Sequence, residues 1–297
     1  MKEKRNFRKF TMQLSLLIMT IIIVFSMPIS ISASSNIINW ADIYERDFCI
    51  QGMCIDNKNN IYYAKLHKNQ IYVEICKVAP NKSQSVVYHA NNTLGHANDM
   101  TYCSADGYIY VVTGGGSNKP SYDIIAFDPS KNFKIVGKYK VPEIKNLGGI
   151  AYDSKYKVFY IRQEKKIYVG NFKNGNFNSF CNFTLDFGKN DGYTRQGIST
   201  HDGHIFVPLW DKSGQRNSVI RIYDVIKKSN TSYIGIFKSV TRYDDDNNKT
   251  NTFEIEGVDF SKSGDMFFAI NADYSATIFK KQAEYSLITD TSYNLLS

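Results

Sequence analysis

The sequence predicts an all-β chain: a five-bladed β-propeller whose N-terminal strand closes the last blade, preceded by a signal peptide. Three observations predict it. One pattern, a short apolar strand, a polar turn and a second strand rich in aromatic and β-branched residues, occurs five times. Its copies are Gln51-Gly52-Met53-Cys54-Ile55 with Ile61-Tyr62-Tyr63, Asn98-Asp99-Met100-Thr101 with Tyr108-Ile109-Tyr110, Gly148-Gly149-Ile150-Ala151 with Val158-Phe159-Tyr160, Gln196-Gly197-Ile198 with Ile205-Phe206-Val207, and Glu256-Gly257-Val258-Asp259 with Met266-Phe267-Phe268. With Gly52, Asp99, Gly149, Gly197 and Gly257 as equivalents, the steps are 47, 50, 48 and 60 residues. A period of about fifty residues built from strands alone is the signature of propeller blades. Finally, neither a long amphipathic helix nor a linker interrupts the chain after its first residues, so one domain over residues 34–297 is expected.

Each blade divides into four strands, A to D, counted outward from the channel. Blade one is expected at 52–56, 61–65, 70–78 and 84–89, and blade two at 100–103, 108–113, 123–128 and 135–141. Blade three is expected at 149–153, 158–162, 166–172 and 179–185, and blade four at 197–200, 205–209, 218–225 and 232–238. Blade five shows only three, at 257–261, 266–270 and 276–281. The segment Ile37-Ile38-Asn39-Trp40-Ala41-Asp42-Ile43 stands where every other repeat has the preceding blade's outer strand. It is expected to complete blade five, a closure that leaves no open fan of sheets. The tail from Ala283 to Ser297 is then surplus, an alternative outer strand or a cover.

The first 33 residues read as a leader. Lys2, Lys4, Arg5, Arg8 and Lys9 form a basic start, Leu14 to Ile31 is an almost unbroken apolar run, and Ile31-Ser32-Ala33 has the small residues of a cleavage site. Retention as a membrane anchor is the competing reading. With the leader removed, no stable membrane insertion is expected. The whole chain carries 36 Lys and Arg against 28 Asp and Glu; without the leader the net charge is +4. A mild charge with no basic cluster and no helix to enter a groove argues against nucleic acid. Weak attraction to anionic wall polymers stays open. Five cysteines at irregular spacing, an odd number, argue against a disulfide framework and for buried thiols. The abundance of Lys, Asn, Ile and Tyr suggests a low-GC Gram-positive source. A monomer is expected.

Propellers present ligands where the loops leading into the innermost strands converge. The informative column is therefore Gln51, Asn98, Gly148, Gln196 and Glu256, extended by His96, Asp99, Arg195 and Glu254. The ends of the B strands add Lys65, Thr113, Arg162, Trp210 and Asn271. Amides, a histidine, two arginines and one or two carboxylates meeting at one place make a polar ligand pocket. The bland alternative is that such residues only satisfy backbone groups of neighbouring blades. Arg195 and His96 are hardest to explain that way, because turns rarely require those side chains. Other motifs fail. Asp202-Gly203 between His201 and His204 is a hairpin signal, with both histidines expected exposed. Asp244 to Asn248 lacks the glycine and glutamate of a calcium loop, and reads instead as an extended connection that accounts for the 60-residue step. Gly114-Gly115-Gly116-Ser117 lacks the lysine and helix of a phosphate loop.

The run Ile50-Gln51-Gly52-Met53-Cys54-Ile55-Asp56 with Asn60-Ile61-Tyr62, echoed by Gln196-Gly197-Ile198 and Glu254-Ile255-Glu256-Gly257, resembles repeats of secreted five-bladed propellers from Gram-positive bacteria and their phages. These include helveticin J-like bacteriocins and teichoic-acid-associated and phage receptor-binding propellers. The resemblance covers nearly all of the mature chain and implies binding at the cell envelope rather than turnover. It supplies no catalytic residues.

The sequence therefore favours a secreted or envelope-associated protein that binds a polar glycan or wall glycopolymer at the channel mouth. The ligand-binding set would be Gln51, His96, Asn98, Arg162, Arg195, Gln196, Trp210, Glu256 and Asn271, with Trp210 offering its ring to a sugar face. No cofactor or metal is expected under this reading. A second reading is a divalent-cation-dependent, lactonase-like hydrolase in which Glu256, Asn98 and Asn271 hold calcium. A third is a protein-interaction platform, which a dry, side-chain-plugged channel and an exposed apolar patch would favour.

Overall fold

The computed structural model describes residues 37–297 except 44–47, 68–71, 92, 115–120, 212–216, 245–251, 274, 282–290 and 295–297. The leader lies outside the described residues, as does most of the Asp244–Asn248 stretch and of the Gly114–Ser117 stretch. Among the described residues the only helical elements are two single 3-10 turns, and no helix is long and apolar enough to cross a membrane.

The first described element is β1 (Ile37–Ile43). Blade one is β2 (Phe48–Ile55), β3 (Ile61–His67), β4 (Tyr72–Val78) and β5 (Gln84–Asn91). Blade two is β6 (Asp99–Cys103), β7 (Tyr108–Val112), β8 (Ile124–Asp128) and β9 (Lys134–Tyr139). Blade three is β10 (Gly149–Asp153), β11 (Val158–Gln163), β12 (Lys166–Lys173) and β13 (Asn176–Thr184). Blade four has its inner strand in two pieces, β14 (Thr194–Arg195) and β15 (Ser199–His201), followed by β16 (His204–Trp210), β17 (Asn217–Ser229) and β18 (Ser232–Asp244). Blade five is β19 (Phe253–Phe260), β20 (Met266–Ala272) and β21 (Ser275–Lys281). β1 pairs antiparallel with β21, from Ile37 opposite Lys281 to Ile43 opposite Ala276, and completes blade five. The chain is a five-bladed β-propeller closed by its N-terminal strand.

Two details depart from the sequence reading. The tail's strand, β22 (Thr291–Asn294), does not join blade five; it pairs in parallel with Thr241–Asp244 at the outer edge of blade four. The 60-residue step is also only partly a loop. β17 and β18 run to 13 residues each, so the extra chain is largely a long hairpin.

The apolar core lies between blades. Five buried clusters fill the five gaps, and the one holding Ala41, Ile50, Met53 and Phe267 seals blade five against blade one. Flat sheets stacked as wedges need bulky, rigid fillers, and rings supply them: Tyr110, Phe159 and Phe172 form one stack between blades two and three, with centroids 4.8–5.1 Å apart.

The A–B hairpins are held by a device that recurs. Asp56 accepts from the N–H groups of Lys58 and Asn60 and from the Tyr62 hydroxyl at 3.1 Å. Asp106 accepts from Tyr108 N–H and the Tyr110 hydroxyl at 2.7 Å, and Asp153 from Lys155 and Tyr156 N–H and the Tyr160 hydroxyl at 3.0 Å. An aspartate at the turn thus caps its loop and latches onto the B strand behind it. At the Asp202-Gly203 turn both residues have positive φ, as the hairpin signal predicts. The flanking histidines are half-buried rather than exposed. His201 stacks on Phe260 at 4.4 Å, and His204 Nε2 lies 2.8 Å from Asp224. All five cysteines are free thiols.

Candidate ligand-binding site

Blades one, four and five break their ladders at the same place. In β2, Ile50 faces Lys65 and Met53 faces Tyr63, so Gln51 and Gly52 together oppose one residue. In β19, Ile255 faces Ile270 and Gly257 faces Ala269, leaving Glu256 as the extra residue. In blade four the gap between β14 and β15 holds Gln196, whose N–H donates to Pro208 O at 3.1 Å. Such bulges bend a strand and re-aim a side chain. Here they deliver Gln51, Gln196 and Glu256 to the mouth of the channel.

The three meet through carboxyl groups. Gln196 Nε2 donates to Glu254, Glu254 is hydrogen-bonded to Glu256, Asn271 Nδ2 donates to Glu256 Oε1 at 3.0 Å, and Gln51 Nε2 approaches the same oxygen to 3.5 Å. Burial and the neighbouring Glu254 hold the Glu256 carboxyl protonated well above its ordinary range. Asn271 is also fixed to blade one, accepting from Ile50 N–H and donating to Ile50 O, both at 2.9 Å. Its amide is fully engaged.

Beneath this ring the channel axis is closed by one side chain, that of Asp99. Its Oδ2 accepts from Ile150 N–H at 2.8 Å in blade three and Ile198 N–H at 2.9 Å in blade four, and its Oδ1 accepts from Met100 N–H. Burial pushes its pKa up to about 8, while those N–H groups and Arg162 pull the other way. The glycines of the same column make room for it. A Cβ on Gly197 would stand 2.4 Å from Asp99 Oδ1, and one on Gly52 would stand 2.2 Å from Asp99 Cα. The channel is plugged, but by a polar group. The large exposed apolar residues (Ile38, Val86, Val136, Phe180, Ile236, Phe237) lie on outer strands, away from the channel.

The two arginines support backbone and loops. Arg162 is buried and donates to Gly148 O at 2.6 Å, to Arg195 O and Glu164 O at 3.2 Å, and to Gln196 O. Burial draws its pKa down to about 10. Gly148 departs from the polar residues of its column because a Cβ there would meet Arg162 Nη2 at 2.7 Å. Arg195 is clamped by Asp191 Oδ1 at 2.7 Å and Glu164 Oε2 at 3.2 Å, and lies over the Phe187 ring at 4.8 Å.

Asn98, His96 and Trp210 are half-buried around the same mouth, on the segments before β6 and at the end of β16. Burial lowers the His96 pKa, which keeps the ring neutral. Among the described residues no protein donor reaches the side-chain oxygen of Gln51 or Gln196, and the Asn98 amide has no protein partner. The ring therefore offers amide groups to a ligand, while the terminal guanidinium nitrogens and carboxyl groups around it are bonded to the protein. Among the described residues no group of three or more His, Cys, Asp or Glu is arranged to hold a metal ion.

One channel residue escaped the sequence reading. Asp259 is buried, accepts from Ile55 N–H at 2.7 Å and Ser199 Oγ at 2.8 Å, and is pushed up to about 6 by burial. It lies two residues past the glycine column, and strand alternation places that position on the same face. That offset was the available signal.

No family model and no curated protein sequence matches the chain. Solved structures do. The tail fiber of Staphylococcus aureus phage P68 superposes with a TM-score of 0.55 at 15% identity, over 83% of this chain and 52% of that one. A GH43_1 enzyme from Xanthomonas citri, solved with xylose, gives 0.53 at 8% identity, over 89% and 95%. An engineered GH43 glycoside hydrolase with endo-xylanase and exo-arabinofuranosidase activity gives 0.51 at 8%, over 83% and 52%. The chain spans about half the length of the first and third of these. At such identities the likeness establishes the fold: this chain is a five-bladed β-propeller of the architecture found in a phage tail fiber and in GH43 enzymes.

Proposed function

We propose that the chain is a secreted or cell-envelope protein that binds a polar glycan or wall glycopolymer at the channel mouth, residues 1–33 serving as its leader. The observation that carries this reading is a set of open amide groups, the side-chain oxygens of Gln51 and Gln196 and the whole amide of Asn98, brought from three blades to one polar ring. Amide oxygens without protein donors, beside the open amide of Asn98, are suited to sugar hydroxyls, which both donate and accept. Trp210 and neutral His96 flank them. Arg162, Arg195, Glu256 and Asn271 act as positioning residues, since their terminal guanidinium nitrogens, carboxyl and amide are bonded to the scaffold. Neighbours that include a tail fiber and sugar-processing enzymes accord with a glycan ligand.

The hydrolase reading is not favoured. A calcium ligand set of Glu256, Asn98 and Asn271 would need an ionised Glu256 and a free Asn271 oxygen. Glu256 is held protonated, and Asn271 Oδ1 already accepts from Ile50 N–H. Binding of the full chain to purified wall polymers and a glycan array, with and without calcium, tests the proposal. Saturable binding that weakens roughly tenfold in Gln51→Ala/Gln196→Ala and ignores calcium is expected. Unchanged binding in that folded variant, or no binding by the wild type, overturns it.

A further inference from the structure

The opposite face of the propeller, where the A–B turns lie, carries a second recess. A cavity of about 530 Å³ opens between blades one and two, lined by Lys58, Tyr62, Lys77, Tyr102, Asp106 and Tyr108 among others. It adjoins a smaller one of about 160 Å³ under the channel, which reaches Asp259 and Lys262. The two share Asp56, Asn57 and Tyr102, so they form one trough running from the far mouth of the channel to the rim.

The charges in this trough are unevenly engaged. The carboxylates lining it are turned to the protein's own groups. Asp56 is latched to Asn60 and Tyr62, Asp106 to Tyr110, Asp128 to Ser130 and Lys131, and Asp259 to Ser199 and Ile55. The lysines are not. Among the described residues no carboxylate pairs with Lys58, Lys77 or Lys262, and the hydroxyls of Tyr102 and Tyr108 meet no protein partner. These groups surround one turn. Lys77 faces Tyr62 across the β3–β4 ladder, Lys58 sits in the Asp56–Asn60 turn, and Lys262 N–H donates to Asn59 Oδ1 at 3.1 Å from the next blade. Spare ammonium groups, spare phenol hydroxyls and tyrosine ring faces in an elongated recess suit a chain that is both anionic and hydroxylated.

We propose that this trough binds an acidic saccharide or polyol chain, with Lys58, Lys77 and Lys262 meeting its anionic groups and Tyr102 and Tyr108 its hydroxyls. The anion can be a phosphodiester or a uronate carboxylate. The site shares no residue with the channel mouth, so either can fail without the other.

The test titrates the full chain with three probes: an oligomer of glycerol phosphate, an oligogalacturonate and a neutral oligosaccharide of similar length. Lys58→Glu/Lys77→Glu is compared with the charge-matched pair Lys173→Glu/Lys228→Glu at exposed strand ends elsewhere. At least one acidic probe is expected to bind, to weaken roughly tenfold or more in the first variant and in Lys262→Glu, and to weaken with added salt. The control pair should stay within about twofold of wild type. Preference between the two acidic probes identifies the anion. Equal binding by both double variants, equal binding of the neutral probe, or no binding of either acidic probe overturns the proposal. Tyr102→Phe, which removes only a hydroxyl, should cost severalfold while leaving the melting temperature in place.

Discussion

Removing Asp99 should loosen the whole channel, and the glycine facing its carboxylate should reveal how. Asp99→Ala takes the acceptor from two buried N–H groups on two other blades, Ile150 at 2.8 Å and Ile198 at 2.9 Å. Each orphaned donor costs about 1–3 kcal/mol, so a loss of about 2–6 kcal/mol is expected before any cavity cost. In a chain of this size that lowers Tm by roughly 5–20 °C. The sharper test is a double-mutant cycle. Gly197→Ala alone sets a Cβ 2.4 Å from Asp99 Oδ1 and within 2.8 Å of two further side-chain atoms. Overpacking of that kind costs about 1–3 kcal/mol. In the Asp99→Ala background the obstructing atoms are gone, so most of that cost should vanish. Gly52→Ala is the control: its Cβ would meet Asp99 Cα at 2.2 Å and Met100 N at 2.8 Å, which are backbone atoms, and Asp99→Ala cannot rescue it. Chemical denaturation of the four variants and wild type measures the couplings. Additive Asp99/Gly197 losses, or equal rescue of both glycine variants, would refute the axial-plug argument.

The other predictions concern the latches, the arginine and pH. Tyr160→Phe should cost about 1 kcal/mol and Asp153→Ala about 2–3 kcal/mol, since the aspartate also holds Lys155 and Tyr156 N–H; urea denaturation reads the difference. Arg162→Met should lower stability by about 2–4 kcal/mol, because four carbonyls in three segments lose a charged donor, and proteolysis should then open the 188–196 loop first. Stability should fall as pH rises from about 4 to about 8. Asp99 and Asp259 have folded pKa values raised to about 8 and about 6, so the folded state holds more protons in that window and each group's contribution is lost as pH climbs through its folded value. A Tm that climbs steadily from pH 5 to pH 8 would contradict this.

Much of the fold was legible because propeller blades obey local rules. Alternation, turn residues and the fifty-residue step located the blades, and the missing outer strand of blade five pointed to Ile37–Ile43, which pairs with β21. β22 was not legible. Four residues carry too little pattern to specify an edge, and its pairing with β18 depends on where the long blade-four hairpin ends. At the site, three members of the column before the glycines, Gln51, Gln196 and Glu256, stand where the ladders break. Whether each side chain is available to a ligand was hidden, because that depends on loops distant in sequence. Arg195 seemed too costly for a turn to carry without a function. It is held by Asp191 four residues upstream and by Glu164 from the neighbouring blade, a pairing that only the folded loops create.

The irregular member of the glycine column carries the larger lesson. Aligned by sequence, Asp99 is a departure from four glycines at the equivalent position. In three dimensions five inner strands approach one axis, where there is space for a single side chain. Gly52 and Gly197 are glycine because Asp99 is not, and Asp99 can sit there, buried, because strands from two other blades present N–H groups to it. Three of the glycines share that constraint, since a Cβ on Gly52, Gly149 or Gly197 would crowd Asp99, whereas a Cβ on Gly257 would meet Met53 Cγ at 2.6 Å.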